Sequence, residues 1–323
     1  MKLLVGASLA LALSFWATLA RVGAPQARVA PKVFLLLNSM KGRRLEFIIL
    51  IIIPILWITV LEIFAYSSLL IYSFWDTEYL TIIKEFTLKN FVKIFSTPLY
   101  YGTILKTVGI GLTVSILALI LGYPVAFFIA YRVKRNKNLI LLLVVMQLWI
   151  SYLVRAYAWK IVLGTNGVIN QFLLFIGVIN EPLSILLYSK FALILVLTMA
   201  FIAFLIIPVY AMLEKIPDEF LQASYDLGAG RFTTFWRVIF PLTLPGVIAG
   251  ITSVFALSVG DFVAALLVGG PEGIMIGNIV WSLFGTAFQW TLGAANGLVL
   301  ILLVAFILYV SERVAARYSG MEI

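Results

Sequence analysis

The chain of 323 residues is 63% hydrophobic and only 11% charged, with a mean hydropathy of +1.12; it lacks the polar surface to cover a soluble core, so its main solvent is a lipid bilayer. Its net charge of +9 would suit nucleic acid, but the lysines and arginines sit between apolar runs rather than along one face, which excludes that partner. The absence of cysteine and histidine excludes disulfides, thiolate nucleophiles, Cys/His metal sites and the usual general base, so no catalytic residue, metal or cofactor is expected.

In chain order, residues 1–39 form an N-terminal extension whose apolar run, 3–20, is of signal-peptide type with Lys2 before it. Cleavage there would leave Lys41, Arg43 and Arg44 outside, against the charge rule. Two readings stay open: an extra helix, or upstream sequence ahead of a start at Met40. From residue 40 to 323 the pattern predicts an all-helical membrane domain of about six spans, at 47–74, 104–131, 139–163, 191–213, 244–268 and 292–309. Lys and Arg in short loops resist translocation, so Lys41, Arg43 and Arg44 before the first span, and Arg132, Lys134, Arg135 and Lys137 after the second, mark cytoplasmic ends. Alternation places the 214–243 loop and the tail with Arg313 and Arg317 on the same side. Both ends of the six-helix core are therefore expected in the cytoplasm.

The loops on the other side differ. Segment 76–101 balances Lys84, Lys89 and Lys93 against Asp76, Glu78 and Glu85, and segment 269–291 has no Lys or Arg. Trp75, Tyr79, Tyr100, Tyr101, Trp281 and Trp290 fit an aromatic belt at that face. Thr87 can cap a short interfacial helix with Leu88, Phe91, Ile94 and Phe95 on one stripe; a plain loop is the alternative. Pro54, Pro124 and Pro208 fall within spans, where they kink helices. No internal repeat or inverted pair of broken helices supports a stand-alone carrier.

The most informative loop reads EKIPDEFLQASYDLGAGRFTTFWRVIFPLTLPGVIAG, 214–250. Pro217 suits a first helical turn, Asp218 and Glu219 complement the positive dipole end, and Gly228 supplies a left-handed stop, which predicts a helix of about ten residues. Phe220, Ala223, Ser224 and Leu227 share one narrow apolar face. A second helical stretch carries Phe232, Phe235, Trp236 and Ile239 until Pro241 and Pro245 break it. Periodicity alone favours helices packed back on the protein's own surface.

This segment resembles the EAA loop of binding-protein-dependent ABC importer permeases, whose pattern is EAAxxxG, nine further residues, then IxLP. Gln222, Ala223, Ser224 and Gly228 occupy the first part; Val238, Ile239, Phe240 and Pro241 occupy the last. Gln replaces the motif's Glu and Ser its second Ala, so the charged contact with an ATPase is in question while glycine and apolar face are kept. The likeness covers most of 40–319. WISYLVRAYAWKIVLGTNGVINQFL (149–173), EPLSILLY (181–188), GDFV (260–263), GGPEGIMIGNIV (269–280), TLKNF (87–91) and LGYPVAFFIA (121–130) are similar to the spermidine/putrescine permease subfamily, most closely its B-type subunit. The resemblance implies type I ABC importer architecture in a bacterial plasma (inner) membrane, with this chain forming half of a pore. It implies a second related permease, two copies of an ATP-binding subunit docked on a coupling helix at 218–228, an extracytoplasmic solute-binding protein, and a small cationic solute. Thiamine, an amino-acid derivative or ferric iron are the alternative cargoes.

No phosphate-cradling GxxxxGK[ST] loop is present, so the energy must come from another subunit. An intramembrane protease, the reading from another class, lacks its pair: Asp261 has no second carboxylate at facing spacing, and no histidine can activate Ser253 or Ser258. Charged groups near mid-span cost roughly 2.5–3.5 kcal/mol, so they face protein or water. Arg155 and Lys160 can snorkel to the headgroups or line the path. Glu62 and Asp261 are too short to snorkel and read equally as pore groups or a buried structural pair; Tyr157 and Trp159 are the aromatic candidates beside them. Gln147, Asn278 and Asn296 pose the same question more weakly.

Overall fold

The computed structural model describes residues 44–78 and 81–319, so the N-terminal extension, Lys41, Arg43 and Tyr79 lie outside the described residues. The chain divides into two units at Ser67/Ser68. The first contains most of helix α1 (Arg44–Ser73), an almost wholly apolar rod with Pro54 inside it and with Trp57, Leu61 and Phe64 exposed.

The second unit begins with the last turn of α1. A short antiparallel hairpin follows, β1 (Asp76–Glu78) and β2 (Thr81–Ile83), in the register Asp76↔Ile83. The sequence reading missed it because three-residue strands carry no period. Helix α2 (Lys89–Ser96) comes next, starting one residue after the expected cap: Thr87 Oγ1 accepts the Lys89 N–H at 3.2 Å while Leu88 holds the cap position. The expected stripe splits. Ile94 is buried and Phe91 half-buried against Tyr100, Ile104 and Leu292, whereas Leu88 and Phe95 are exposed. Lys89 Nζ reaches Asp76 Oδ2 at 2.9 Å and Asn90 Nδ2 donates to the Trp75 carbonyl at 2.7 Å, tying hairpin to helix.

Helix α3 (Pro98–Tyr131) is a continuous span despite Pro124. The third predicted span is not one helix. Helix α4 (Lys137–Met146) ends in a tight turn at Gln147–Trp149, Ile150 and Ser151 are extended, and α5 (Tyr152–Leu163) with α6 (Val168–Phe175) leaves at 93°. At 1.5 Å per residue the segment before the bend covers roughly 20 Å, short of the ~30 Å hydrocarbon core. The fourth span also bends, by 44° at Ile202, between α7 (Lys190–Phe201) and α8 (Ala203–Leu213). Pro208, nearly two turns further on, removes a ladder hydrogen bond and crowds the carbonyl four residues back. Helix α9 (Asp218–Asp226) lies in the following loop, and α10 runs from Arg231 to Val259. After a break at Gly260–Asp261, a π-turn (Ala265–Gly269), α11 (Ile276–Phe284) and α12 (Trp290–Ser319) complete the chain. Among the described residues, four helices are long and apolar enough to cross a membrane, or up to six if each bent pair counts as one span.

The core lies where α3, α8 and α10 meet, and glycine permits the approach. A Cβ on Gly246 would stand 2.6 Å from the Pro208 carbonyl oxygen, one on Gly250 3.0 Å from Leu205 Cα, and one on Gly122 2.8 Å from a Leu205 methyl. Gly246 and Gly250, four apart, make a small-residue seam of the kind that packs helices in lipid, where apolar burial gives little drive. Between α3 and α10 the Tyr123 and Thr243 hydroxyls hydrogen-bond at 3.0 Å.

Candidate functional site

Helix α9 is bounded as the residue types dictate. Pro217 sits at the cap rather than inside the first turn, its carbonyl accepting the Phe220 N–H at 3.2 Å, and Asp218 and Glu219 follow in the first turn. At the other end Gly228 has φ +81; its N–H donates to the Tyr225 carbonyl at 2.9 Å, and the Ala229 N–H donates to the Ser224 carbonyl at 3.0 Å. That pair of bonds is a Schellman stop, satisfying carbonyls the helix end would otherwise leave open.

The predicted apolar face divides in two. Ser224 is buried and Leu221 packs against the core, so this side of α9 rests on its own chain. Phe220, 40% exposed, Leu227, 88% exposed, and Ala223 between them point away from it, with Gln222 beside them. The inward-packed reading thus holds for one side of α9 and fails for the other. The stretch after Gly230 also differs from expectation, because Pro241 and Pro245 do not end it. A π-turn at Phe235–Ile239, closed by the Phe240 N–H on the Phe235 carbonyl, shifts the ladder just before Pro241, and the helix continues as α10. Tyr123 and Phe127 of α3 meet Phe235 edge-on at 5.7 and 5.9 Å, fixing the base of α10.

Asp261 does not lie inside a straight fifth span. Gly260 ends α10, and Asp261, only 8% exposed, caps the next turn by accepting the Ala264 N–H at 2.8 Å. The Tyr152 hydroxyl lies beside its carboxyl without full hydrogen-bond geometry. Glu62 is exposed, Tyr157 is exposed, and Trp159 is half-buried against the core, two residues further round α5 and so on another face. Arg155 does not snorkel freely: its Nη1 donates to the Ala200 carbonyl at 3.1 Å and its guanidinium lies over the Tyr152 ring. Lys160 stands over the Tyr188 ring at 5.6 Å. Asn278 has a structural role, accepting the Met275 N–H and donating to the Phe262 carbonyl at 3.0 Å, while Asn296 donates to Leu292. Sequence reasoning passed over Tyr152 and Thr234; the visible signals were the Gly260-Asp261 stop-and-cap pair and Ser151 ahead of a helical run.

Residues 118–319 match the family described as binding-protein-dependent transport system inner membrane component. The chain belongs to that family. It is an inner-membrane transport permease with several membrane-crossing helices. The spermidine/putrescine transport system permease protein PotB of Escherichia coli (strain K12) is 35% identical over 238 residues, 74% of this chain and 86% of that protein. The inner membrane ABC transporter permease protein YdcU of the same organism is 35% identical over 283 residues, 83% of this chain and 89% of that one. Among solved structures, a chain of a bacterial alginate ABC transporter, in complex with an alginate pentasaccharide-bound periplasmic protein, superposes with a TM-score of 0.68. It shares 17% identity over 88% of this permease and 99% of that chain, a likeness of fold.

Proposed function

We propose that this permease forms half of the pore of an ATP-driven importer for polyamines, and that α9 is the surface on which an ATP-binding subunit acts. The observation that carries the reading is the outward stripe of Phe220, Ala223 and Leu227 on a helix stopped at Gly228 and joined to a long span. An apolar stripe in an otherwise polar loop suits a cleft on another protein. Asp218, Glu219 and Gln222 lie along the same helix, whose loop resembles the coupling segment of such importers, while Ser224, buried against its own chain, supports that helix from behind. The partners are a second related permease, two copies of the ATPase, and an extracytoplasmic binding protein that delivers the solute. Residues 40–323 act as one permease domain, with loop 214–243 and both ends of the core in the cytoplasm.

Closure of the ATPase pulls on α9 and rocks the pore from inward-open to outward-open, so that the docked binding protein releases its ligand. The polyamine rests on the PotB relationship and has a physical requirement. A solute with two or more positive charges loses hydration in a narrow path, and carboxylates or aromatic faces must offset that loss. Glu62, Asp261, Tyr157 and Trp159 are the groups available. In the importer reconstituted with its partners, spermidine and putrescine should be taken up and should stimulate ATP hydrolysis. Asp261→Asn keeps an oxygen for the Ala264 cap and removes the charge, and it should lower spermidine uptake about tenfold, equivalent to ~1.4 kcal/mol, with assembly intact. Uptake of thiamine or ferric ion in place of polyamines would overturn the solute, and unchanged uptake in Asp261→Asn would remove Asp261 from the path.

A further inference from the structure

Between α9 and α10 lie only Leu227, Gly228, Ala229 and Gly230, a joint that should flex freely, since two of its four residues lack a Cβ. Yet the two helices are fastened below it. The Ser224 and Thr234 hydroxyl oxygens are 2.9 Å apart and both residues are buried; Thr234 Oγ1 also donates to the Gly230 carbonyl at 3.1 Å. Each hydroxyl has one proton, so the order is fixed: Ser224 donates to Thr234, and Thr234 to Gly230. Ser224 is engaged twice, because its carbonyl also receives the Ala229 N–H of the helix stop. The residue at which this sequence departs from the second alanine of the EAA pattern is thus the one that bridges the joint.

We propose that Ser224 and Thr234 form a latch that makes α9 and α10 a single lever, so that a pull on α9 is delivered along α10 to its end at Gly260. The 29 residues of α10 make an arm about 43 Å long. A loose joint at its base would absorb motion that the latch instead transmits. Both are positioning residues: neither belongs to the outward stripe. This inference rests on α9 being the ATPase contact, and its test is arranged to fail separately from that reading.

Removing one hydroxyl and removing both have different consequences. Thr234→Val leaves the Ser224 proton buried with no acceptor and should destabilise the loop, whereas Ser224→Ala leaves Thr234 still satisfied by Gly230. The double variant Ser224→Ala, Thr234→Val leaves no unpaired donor and should fold and hold the ATPase as the unmodified chain does. It should nevertheless move at least about fivefold less spermidine per ATP hydrolysed, while Thr234→Ser alone, which keeps both hydroxyls, retains the unmodified ratio. Because the chain has no cysteine, spin labels on Gln222→Cys and Phe232→Cys, both exposed positions, report the joint directly. Their distance distribution should be narrow in the unmodified chain and broad in the double variant. An equally narrow distribution in the double variant refutes the latch whatever the solute. A broad distribution with unchanged spermidine per ATP refutes its role in transmission. ATPase association lost only in the double variant refutes transmission in favour of presenting the docking face, whereas ATPase association that survives Leu227→Glu refutes the docking reading itself.

Discussion

Gly228 offers a graded test of the stop that ends α9, because its demand is purely conformational. Its φ of +81 lies in the left-handed region, and a Cβ built there meets nothing within 4 Å, so a substitution is resisted by the residue's own backbone rather than by neighbours. For alanine that resistance is about 1–2 kcal/mol, enough to reduce the population of the stopped turn roughly five- to thirtyfold. Asparagine tolerates this region better and should lose less, while β-branched valine should lose more. The Gly228 and Ala229 N–H bonds to Tyr225 and Ser224 are lost together when the turn opens, so the outward stripe proposed for docking loses its fixed end. Titrating the purified ATPase against the permease complex should give affinities in the order Gly, Asn, Ala, Val. Gly228→Asp, which adds a charge at the contact, should abolish ATPase association, uptake or both. Equal affinities across Gly, Asn, Ala and Val would refute the argument that the left-handed stop sets the docking geometry.

Reporter fusions active only outside the cytoplasm should be silent after Asn136 and Arg231 and active after Lys89 and Glu272; a silent fusion at Lys89 would overturn the assigned orientation. Gly246→Val drives a Cβ to within 2.6 Å of the Pro208 carbonyl oxygen and should lower the thermal stability of the detergent-purified chain by the ~1–3 kcal/mol of overpacking, whereas Gly102→Ala, with open space at its Cβ, should not; equal melting would refute the seam. The Asp76 carboxyl is held below its ordinary 3.8, chiefly by the hydrogen bond from Lys89 and against a smaller contribution from burial, and Lys89 is raised above 10.5 by the same partner. A lowered acid stabilises above its unfolded value and ceases to as pH falls through its folded one. Hydrogen-exchange protection of the hairpin should therefore be flat around neutrality and decline below about pH 4, the unfolded carboxylate range. The raised lysine adds stability that is complete below its unfolded value and is lost as pH rises through its folded value above 10.5. Lys89→Met should remove both dependences, and an unaltered profile in that variant would show that the pair does not hold the hairpin.

Much of this protein was written in its pattern. Long apolar runs have few physical options once water is excluded, because every backbone N–H and C=O must be satisfied within the segment, and helices do that locally. Hence the spans at α3 and α12 were legible, as was the short α9, whose acidic first turn and terminal glycine are local chemistry. What escaped was decided by contacts distant in sequence. Apolarity measures compatibility with lipid and not straightness, so the turns of 139–163 at Ile150–Ser151 and of 244–268 at Gly260–Asp261 were marked only by Ser151 and the Gly260-Asp261 pair, which the apolar runs around them overrode. Pro241 reads as a breaker but is accommodated by a π-turn held against Tyr123 and Phe127 of another helix. Asp261 reads as a costly mid-span charge until the break beneath it supplies an N–H to cap. Ser224 shares a helical stripe with Phe220 and Leu227, and only Thr234, ten residues on, turns it inward and leaves the others facing out. Periodicity can assign residues to a face, but which part of that face is covered depends on what the rest of the chain brings to it.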